Sequence, residues 1–476
     1  MKYCALVALL TSVVGTAQDV RAYRTANQKE ILDSFVEFLS IPNVASDKAN
    51  IRKNADFIVK ALTQRGVPCR LLEVPDAPPV VFAEMNPPGG KGTVTFYAHY
   101  DGQPVEPAKW ATPPFQPTFR GDRLYGRSTS DDKAPIEAIL VSLDAMKASG
   151  VQPSANVRFF FEGEEEAGSA HLPQIVEKYR DLLKTDLWLF CDGPVDQSRK
   201  QQIYFGARGD TNLDVKIFGP SHELHSGHYG NWAPNPAMML AMLLASMKDD
   251  DGRVLVDGFY GGIEPLSATE KAAMAAAPLN EETLKREFGL ARTEGKGEKL
   301  IELIAQPSLS IRGFSSASVG ATARNVIPAT AEASIDLRVV KGIDFKIQQD
   351  RLIAHIKKQG YYVTEKEPDM DTRLTYPKIA QVKRGSGYNA ARTSMDLPVS
   401  KQVIATLQKA RGPLVVMPTL GGSIPLYLFT DVLRTPAIGI PIANHDNNQH
   451  SNDENIRLQN LWDGIETLSA LLAMKI

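Results

Sequence analysis

Cysteine is scarce in this chain, with three residues in 476, which excludes a disulfide framework as the source of its stability. Charge of either sign is not in excess: the net charge is −2 and no basic stripe stands out, so the electrostatic footprint of a nucleic-acid binder is missing. No apolar run reaches the length needed to span a bilayer. Internal repeats are absent, and the Ala-rich KAAMAAAP (271–278) is the nearest approach to low complexity. What is there is ordinary globular material, 43% hydrophobic and 23% charged. A chain of this length can bury more than one core, so two or more globular units and a small-molecule partner are expected.

The amino terminus reads MKYCALVALLTSVVGTAQ: a lysine, an apolar run from Cys4 to Val14, then the small residues Gly15, Thr16 and Ala17 before Gln18. That is the layout of a cleavable secretory signal. The expectation is a signal peptide over 1–17 and an exported protein, periplasmic or secreted, with no membrane attachment after cleavage. Cys4 would leave with it, and the sequence does not decide whether Cys69 and Cys191 pair.

Helical spacing recurs from Lys29 to Leu39 and from Ile51 to Leu62, where RGVP stops it. TVTFYAHYDG (93–102), NVRFFFEGEE (156–165) and TDLWLFCDG (185–193) are short apolar runs that end in polar residues, and APIEAILVSLDAMKAS (134–149) reads as a helix between the first two. Alternating strands and helices predict an α/β fold: a mixed, largely parallel sheet flanked by helices, with its chemistry at the carboxyl ends of the strands. After Gly209 the character changes. TNLDVKIFG alternates like a half-exposed strand, and ARNVIPATAEASIDLRVV (323–340) and FKIQQDRLIAHIKKQG (345–360) follow. These predict an inserted α+β domain over 209–384, between catalytic-domain parts at 18–208 and 385–476.

FFFEGEEEAGS (159–169) runs from a buried strand straight into a cluster of like charges. Such carboxylates need solvent or a cation to ionise together. An isolated run of this kind is usually a wet loop, but other strand ends repeat the theme: HYD (99–101), SDDK (130–133), CDG (191–193) and QHSNDEN (449–455). Two imidazoles and three carboxylates at one sheet edge make an N2O3 set. If one carboxylate bridges, the set serves two divalent ions and leaves a position open for water on each.

YAHYDGQPVEPAKW, LYGRSTSDDKAP, FFFEGEEEAGS, ELHSGHYGN, GGSIP and HSNDENI, in that order, resemble the two-metal aminoacylase and carboxypeptidase family, and especially its carnosinase-like dipeptidase branch. The resemblance covers nearly all of the chain after the expected signal. It implies that Asp131 bridges two ions, that His99 and Asp192 complete one site, and that Glu166 and His450 complete the other. It further implies that Glu165 is the general base, that Asp101 orients the His99 ring, and that the Asp131–Asp132 bond is cis. His225 would polarise the scissile carbonyl and stabilise the oxyanion. Arg338, Gly422 and Ser423 would hold the substrate carboxylate, with Asn325 also on the substrate side, and the inserted domain would act as lid and dimerisation domain in a homodimer. The ions would be zinc, with manganese or cobalt also compatible with such shells.

Three departures from the family pattern stand out: Ser128 and Ala134 replace glycines, and Asn325 matches the wider family where the carnosinase branch has threonine. His222, His225 and His228 lie close together but lack H-E-x-x-H spacing, and Ser226, Gly227 and Gly230 predict a loop, not a zinc-binding helix. The expected activity is metal-dependent hydrolysis of dipeptides or short peptides with a free carboxylate. The alternatives are an acyl amino acid hydrolase on the same centre, and an exported peptide-binding protein with a structural ion.

Overall fold

The computed structural model describes residues 16–278 and 280–476. The chain divides into two units. One takes in the described residues up to Phe205 with Thr393–Met417 and Leu428–Ile476; the other is Gly206–Arg392 with Pro418–Tyr427. The second unit therefore differs from the expected 209–384: it is wider at both ends and takes in a later segment that had been assigned to the catalytic domain.

The first unit is built on an eight-stranded sheet in the order Cys69–Leu72, Val80–Met85, Asn156–Glu162, Thr93–His99, Leu187–Phe190, Ala437–Gly439, Gln202–Tyr204, Val415–Met417. The four strands from Asn156–Glu162 to Ala437–Gly439 run parallel, and antiparallel pairings lie outside them. Phe96, Phe159, Phe160, Phe161 and Trp188 are buried, as expected of parallel strands covered on both faces. Phe429 meets Tyr97, Phe160, Trp188 and Phe190 edge-on, a favourable aromatic arrangement. Gly439 has a specific reason to be glycine: a Cβ there would lie 1.9 Å from the Tyr204 ring. That close approach seats Tyr204, whose hydroxyl donates to the Asp192 carbonyl at 3.0 Å.

Helix Lys133–Ala148 is almost wholly buried and packs on Leu458–Leu472, as does Thr16–Ala26. Arg21 reaches Glu466 with two hydrogen bonds of 2.9 and 2.8 Å, and Arg411 adds another at 2.9 Å. The expected cleavage point after Ala17 thus falls inside a helix that belongs to this unit; residues 1–15 lie outside the described ones. Cys69 and Cys191 are both free thiols. Among the described residues no helix is long and apolar enough to cross a membrane.

The second unit carries a five-stranded sheet in the order Ser308–Ser315, Thr330–Val339, Gly209–Phe218, Ile379–Tyr388, Tyr362–Thr364. All pairs are antiparallel except the last. Leu213, Val215 and Ile217 alternate into a core with Leu240, Leu352 and Ile356, contributed by helices Pro236–Ala245 and Phe345–Lys358. The stretch 323–340 is two strands, Val326–Ile327 and Thr330–Val339, with the break at Pro328, which has no N–H for a ladder.

Candidate metal centre

Five segments of the first unit carry the expected ligands. His99 ends one parallel strand. Glu165 and Glu166 form the 3-10 turn that follows Asn156–Glu162, Asp192 follows Leu187–Phe190, and Asp131 lies just before helix Lys133–Ala148. His450 comes from the loop after Ala437–Gly439. Two three-residue groups result, His99–Asp131–Asp192 and Asp131–Glu166–His450, the possible ligand atoms within each lying within 4.8 Å of one another.

Asp131 belongs to both groups and divides its oxygens between them. Its Oδ1 is 3.0 Å from His99 Nε2, and its Oδ2 is 3.1 Å from His450 Nε2. His450 Nε2 is also 3.1 Å from Glu166 Oε2. His99, Asp131 and Asp192 are buried, while the His450 side chain is 53% exposed, which leaves the second group open at its rim. The donor set fits divalent ions: one imidazole and two carboxylates per group, the chemistry that zinc, manganese and cobalt accept. Asp132, next to this set, has its Oδ1 buried without a hydrogen-bond partner, and its Oδ2 accepts from His99 N at 3.2 Å. The Asp131–Asp132 bond is cis.

Asp101 serves two segments at once. Its carboxylate accepts from the backbone N–H groups of Glu165 and Glu166 at 3.0 and 2.9 Å, and its Oδ1 lies 3.4 Å from His99 Nδ1, which also faces the Asp101 carbonyl at 3.2 Å. Burial pushes the Asp192 carboxyl up to about 7, with the charge of Asp131 adding to it. Burial also holds Glu165 well above the usual carboxylate range, reinforced by Asp192, Glu166 and Asp131. His450 is drawn up to about 10 by its bonds to Asp131 and Glu166.

Three polar contacts were not foreseen. Gln103 Nε2 donates to Glu166 Oε2 at 2.9 Å, Gln449 Nε2 donates to Asp131 Oδ2 at 3.0 Å, and Glu454 accepts from the segment that carries Asp131. Gln103 and Glu454 sit inside quoted motifs, four residues after His99 and four after His450, but an amide or acid at such a spacing has no distinctive sequence signature.

The remaining candidates belong to the second unit. His225 is exposed and caps the one-turn helix Ser226–Tyr229, its Nδ1 accepting from Gly227 N at 3.0 Å. This corrects the expectation of a loop there, and it puts the ring proton of a neutral His225 on Nε2. Strand Leu224–His225 pairs with Val326–Ile327, and Ser226 N donates to the Asn325 carbonyl at 3.0 Å, so His225 and Asn325 are neighbours. None of His222, His225 and His228 joins a metal-type group among the described residues. Arg338 donates through Nη1 to Ser423 Oγ at 2.8 Å and through Nε to Asp336 Oδ2 at 3.1 Å, and the Gly422 carbonyl accepts from Arg208 N at 3.2 Å.

A largely parallel sheet with paired acid and imidazole groups at its carboxyl edge defines a metal-dependent hydrolase class. The chain belongs to Peptidase family M20/M25/M40, which it matches over residues 95–474, and it is an enzyme of that peptidase family. It is similar to the Beta-Ala-His dipeptidase of Homo sapiens, at 28% identity over 83% of this chain and 76% of that protein. It is also similar to the Cys-Gly metallodipeptidase DUG1 of Saccharomyces cerevisiae, at 28% identity over 91% of this chain and 93% of that protein. Among solved structures, the M20 family metallo-carboxypeptidase Sso-CP2 of Sulfolobus solfataricus superposes with a TM-score of 0.79 at 26% identity, covering 94% of this chain and 99% of that one. Dug1p of Saccharomyces cerevisiae gives a TM-score of 0.78 at 26% identity, covering 97% and 98%. The family implied by the motifs is thus the family found.

The expectation of an exported, periplasmic or secreted protein with a signal peptide over 1–17 is corrected. Its cleavage point lies within helix Thr16–Ala26, and the similarity to the metallodipeptidases extends over nearly the whole chain without setting an exported class apart.

Proposed function

We propose that this enzyme is a metal-dependent dipeptidase, cleaving the amide bond of dipeptides or short peptides that carry a free carboxylate. The observation that carries the reading is the double membership of Asp131, one oxygen toward His99 and the other toward His450. His99, Asp131 and Asp192 would hold one divalent ion, and Asp131, Glu166 and His450 the other, zinc being the first candidate. Two such ions supply Lewis acidity and bring the pKa of a water into the neutral range.

The chain's own residues do the rest. Glu165 lies beside a ligand without being needed as one, and among the described residues no hydrogen bond is donated to its carboxylate. Its raised pKa suits it to take a proton from water and return it to the leaving amine. Asp101 fixes the Glu165 backbone and the His99 ring together. Arg338, steadied by Ser423 and Asp336, offers a planar cation to the substrate carboxylate. Gly422 and Asn325 are assigned to the substrate side, and His225 to the developing oxyanion. A homodimer through the second unit is part of the same reading, measurable by sedimentation.

The test is a panel of dipeptides and N-acetyl amino acids, assayed after chelation and after return of single metals. Dipeptide hydrolysis restored by zinc, manganese or cobalt is expected. Cleavage of N-acetyl amino acids alone would replace the dipeptidase reading by an acyl amino acid hydrolase, and no hydrolysis of either would leave the peptide-binding alternative.

A further inference from the structure

Glu454 has a hydrogen-bond record unlike that of any other carboxylate near the centre. It is 1% exposed. Its Oε1 accepts from Ser130 N at 3.0 Å, Ser130 Oγ at 2.8 Å and Asp131 N at 3.0 Å. Its Oε2 accepts from Ser128 N at 2.9 Å and Arg127 Nη1 at 2.8 Å. The backbone joins in, with Gly126 N donating to the Glu454 carbonyl at 2.9 Å. Segment 126–131 is therefore wrapped around one side chain from the loop that carries His450.

A buried Arg–Glu pair alone explains one of these five side-chain bonds. The other four run to Ser128, Ser130 and Asp131, the residues leading into the shared carboxylate. Ser128 lies at φ +62°, a backbone state that glycine takes freely and serine does not. The bond from its N–H to Glu454, with that from Asn43 Nδ2 to its hydroxyl at 2.8 Å, holds it there. One acid thus fixes the backbone of Asp131 and stands four residues from His450, the two groups whose separation defines the more open ligand set.

We propose that Glu454 is the positioning residue of the cation centre: it locks the Asp131 segment to the His450 loop and so sets the affinity for the ion held by Asp131, Glu166 and His450. The inference rests on the two-cation reading above. Glu454 does not itself ligate; it keeps the lone pairs of Asp131 aimed by holding the peptide from which they project.

The test uses the full chain. Zinc uptake is titrated against a chromophoric chelator, and thermal melting of the metal-stripped protein is measured alongside. Glu454→Gln puts an amide donor among the N–H groups; the second equivalent of zinc is expected to bind about 10- to 100-fold more weakly, the usual range for such supports. Arg127→Lys disturbs the ion pair and the guanidinium stacking on Trp110 but leaves the four bonds to 128–131; it is expected to lower the melting temperature while zinc affinity stays within about threefold, since metal-ligand supports rather than bulk stability set affinity.

Wild-type affinity in Glu454→Gln overturns the proposal, as does an equal loss of affinity in Arg127→Lys, which would make the pair merely structural. Should Glu454→Gln not fold, Ser130→Ala removes one bond alone; a two- to fivefold weakening, on the order expected for one neutral partner, supports the proposal, and unchanged affinity overturns it. A wild-type chain that takes up no zinc brings down the two-cation reading and this inference together. Normal wild-type uptake with unaltered variants brings down only this one.

Discussion

In the first unit, His99, Asp101, Asp131 and Asp192 are buried, and the first three are held by other parts of the same constellation. In the second unit, His225, Asn325 and Gly422 are exposed, and the Arg338 side chain keeps 33% of its surface open. On the proposed function, the difference follows from what each set would have to do. Residues that cage small cations gain from mutual support, since carboxylates aimed at one point repel until a cation arrives. Residues that would meet a substrate need open surface, and Arg338 keeps it while Asp336 accepts from its Nε and Ser423 from its Nη1.

The largest effects should come from emptying the first region. Chelation is expected to abolish hydrolysis while leaving each fold unit intact, measured by dipeptide turnover and circular dichroism. Activity that survives exhaustive chelation would break the comparison, because the buried set would then have no chemistry to perform. Glu165→Gln comes next. It should leave zinc stoichiometry and melting temperature near wild type and lower kcat by about 10²- to 10⁴-fold, the range for a general base. Full turnover with unchanged metal content would remove Glu165 from the reaction.

Arg338→Met probes the open region. Loss of a charge-assisted contact of about 1.5–3 kcal/mol should reduce kcat/KM for free dipeptides by roughly 10- to 100-fold, with metal content untouched. Dipeptide amides, which lack the carboxylate, should be cleaved equally by variant and wild type. A variant that also loses zinc would mean that the two regions are not independent in function.

The first region was much the more legible in the sequence. FFFEGEEEAGS carried both halves of the message, since Phe159 to Phe161 could only be a covered strand and the acids beyond them had to emerge at its end. Metal-type side chains recurring at successive strand ends marked the region, and the family resemblance singled out His99, Asp131, Glu166, Asp192 and His450 within it. The supports were not: Gln103, Gln449 and Glu454 act through hydrogen bonds whose partners are distant in sequence, as with Asp131 and Glu454, 323 positions apart. The amino terminus misled for a related reason. Small residues before Gln18 suit a cleavage site; what they do not announce is that the chain is helical across that point, in Thr16–Ala26, a helix that packs on Leu458–Leu472 at the other end of the sequence. In the second unit, the extent of the insert was misjudged because Pro418–Tyr427 returns to it late, with no change in composition to announce the return.

The smallest effect contrasts two buried acids of the first unit. Glu454 has five donors, whereas Glu137, 1% exposed in helix Lys133–Ala148, is reached by Ser34 Oγ at 3.4 Å. Burial pushes the Glu137 carboxyl up to about 7; Arg65 and Ser34 pull the other way, and Asp144 and Glu37 add to the rise. The folded protein therefore holds this proton across the window from about pH 4.3, the value in an unfolded chain, to about 7. A raised carboxyl contributes stability fully below that window and loses it as the pH climbs through the folded value. Glu137→Gln should accordingly match wild type near pH 4 and exceed it at pH 8, by up to about 3 kcal/mol from a shift of this size. Urea unfolding at the two pH values reads this directly. A variant that is less stable at pH 8 would mean that Arg65 stabilises the charged form more than burial penalises it, and the contrast between a supported and an unsupported buried acid would fail at that point.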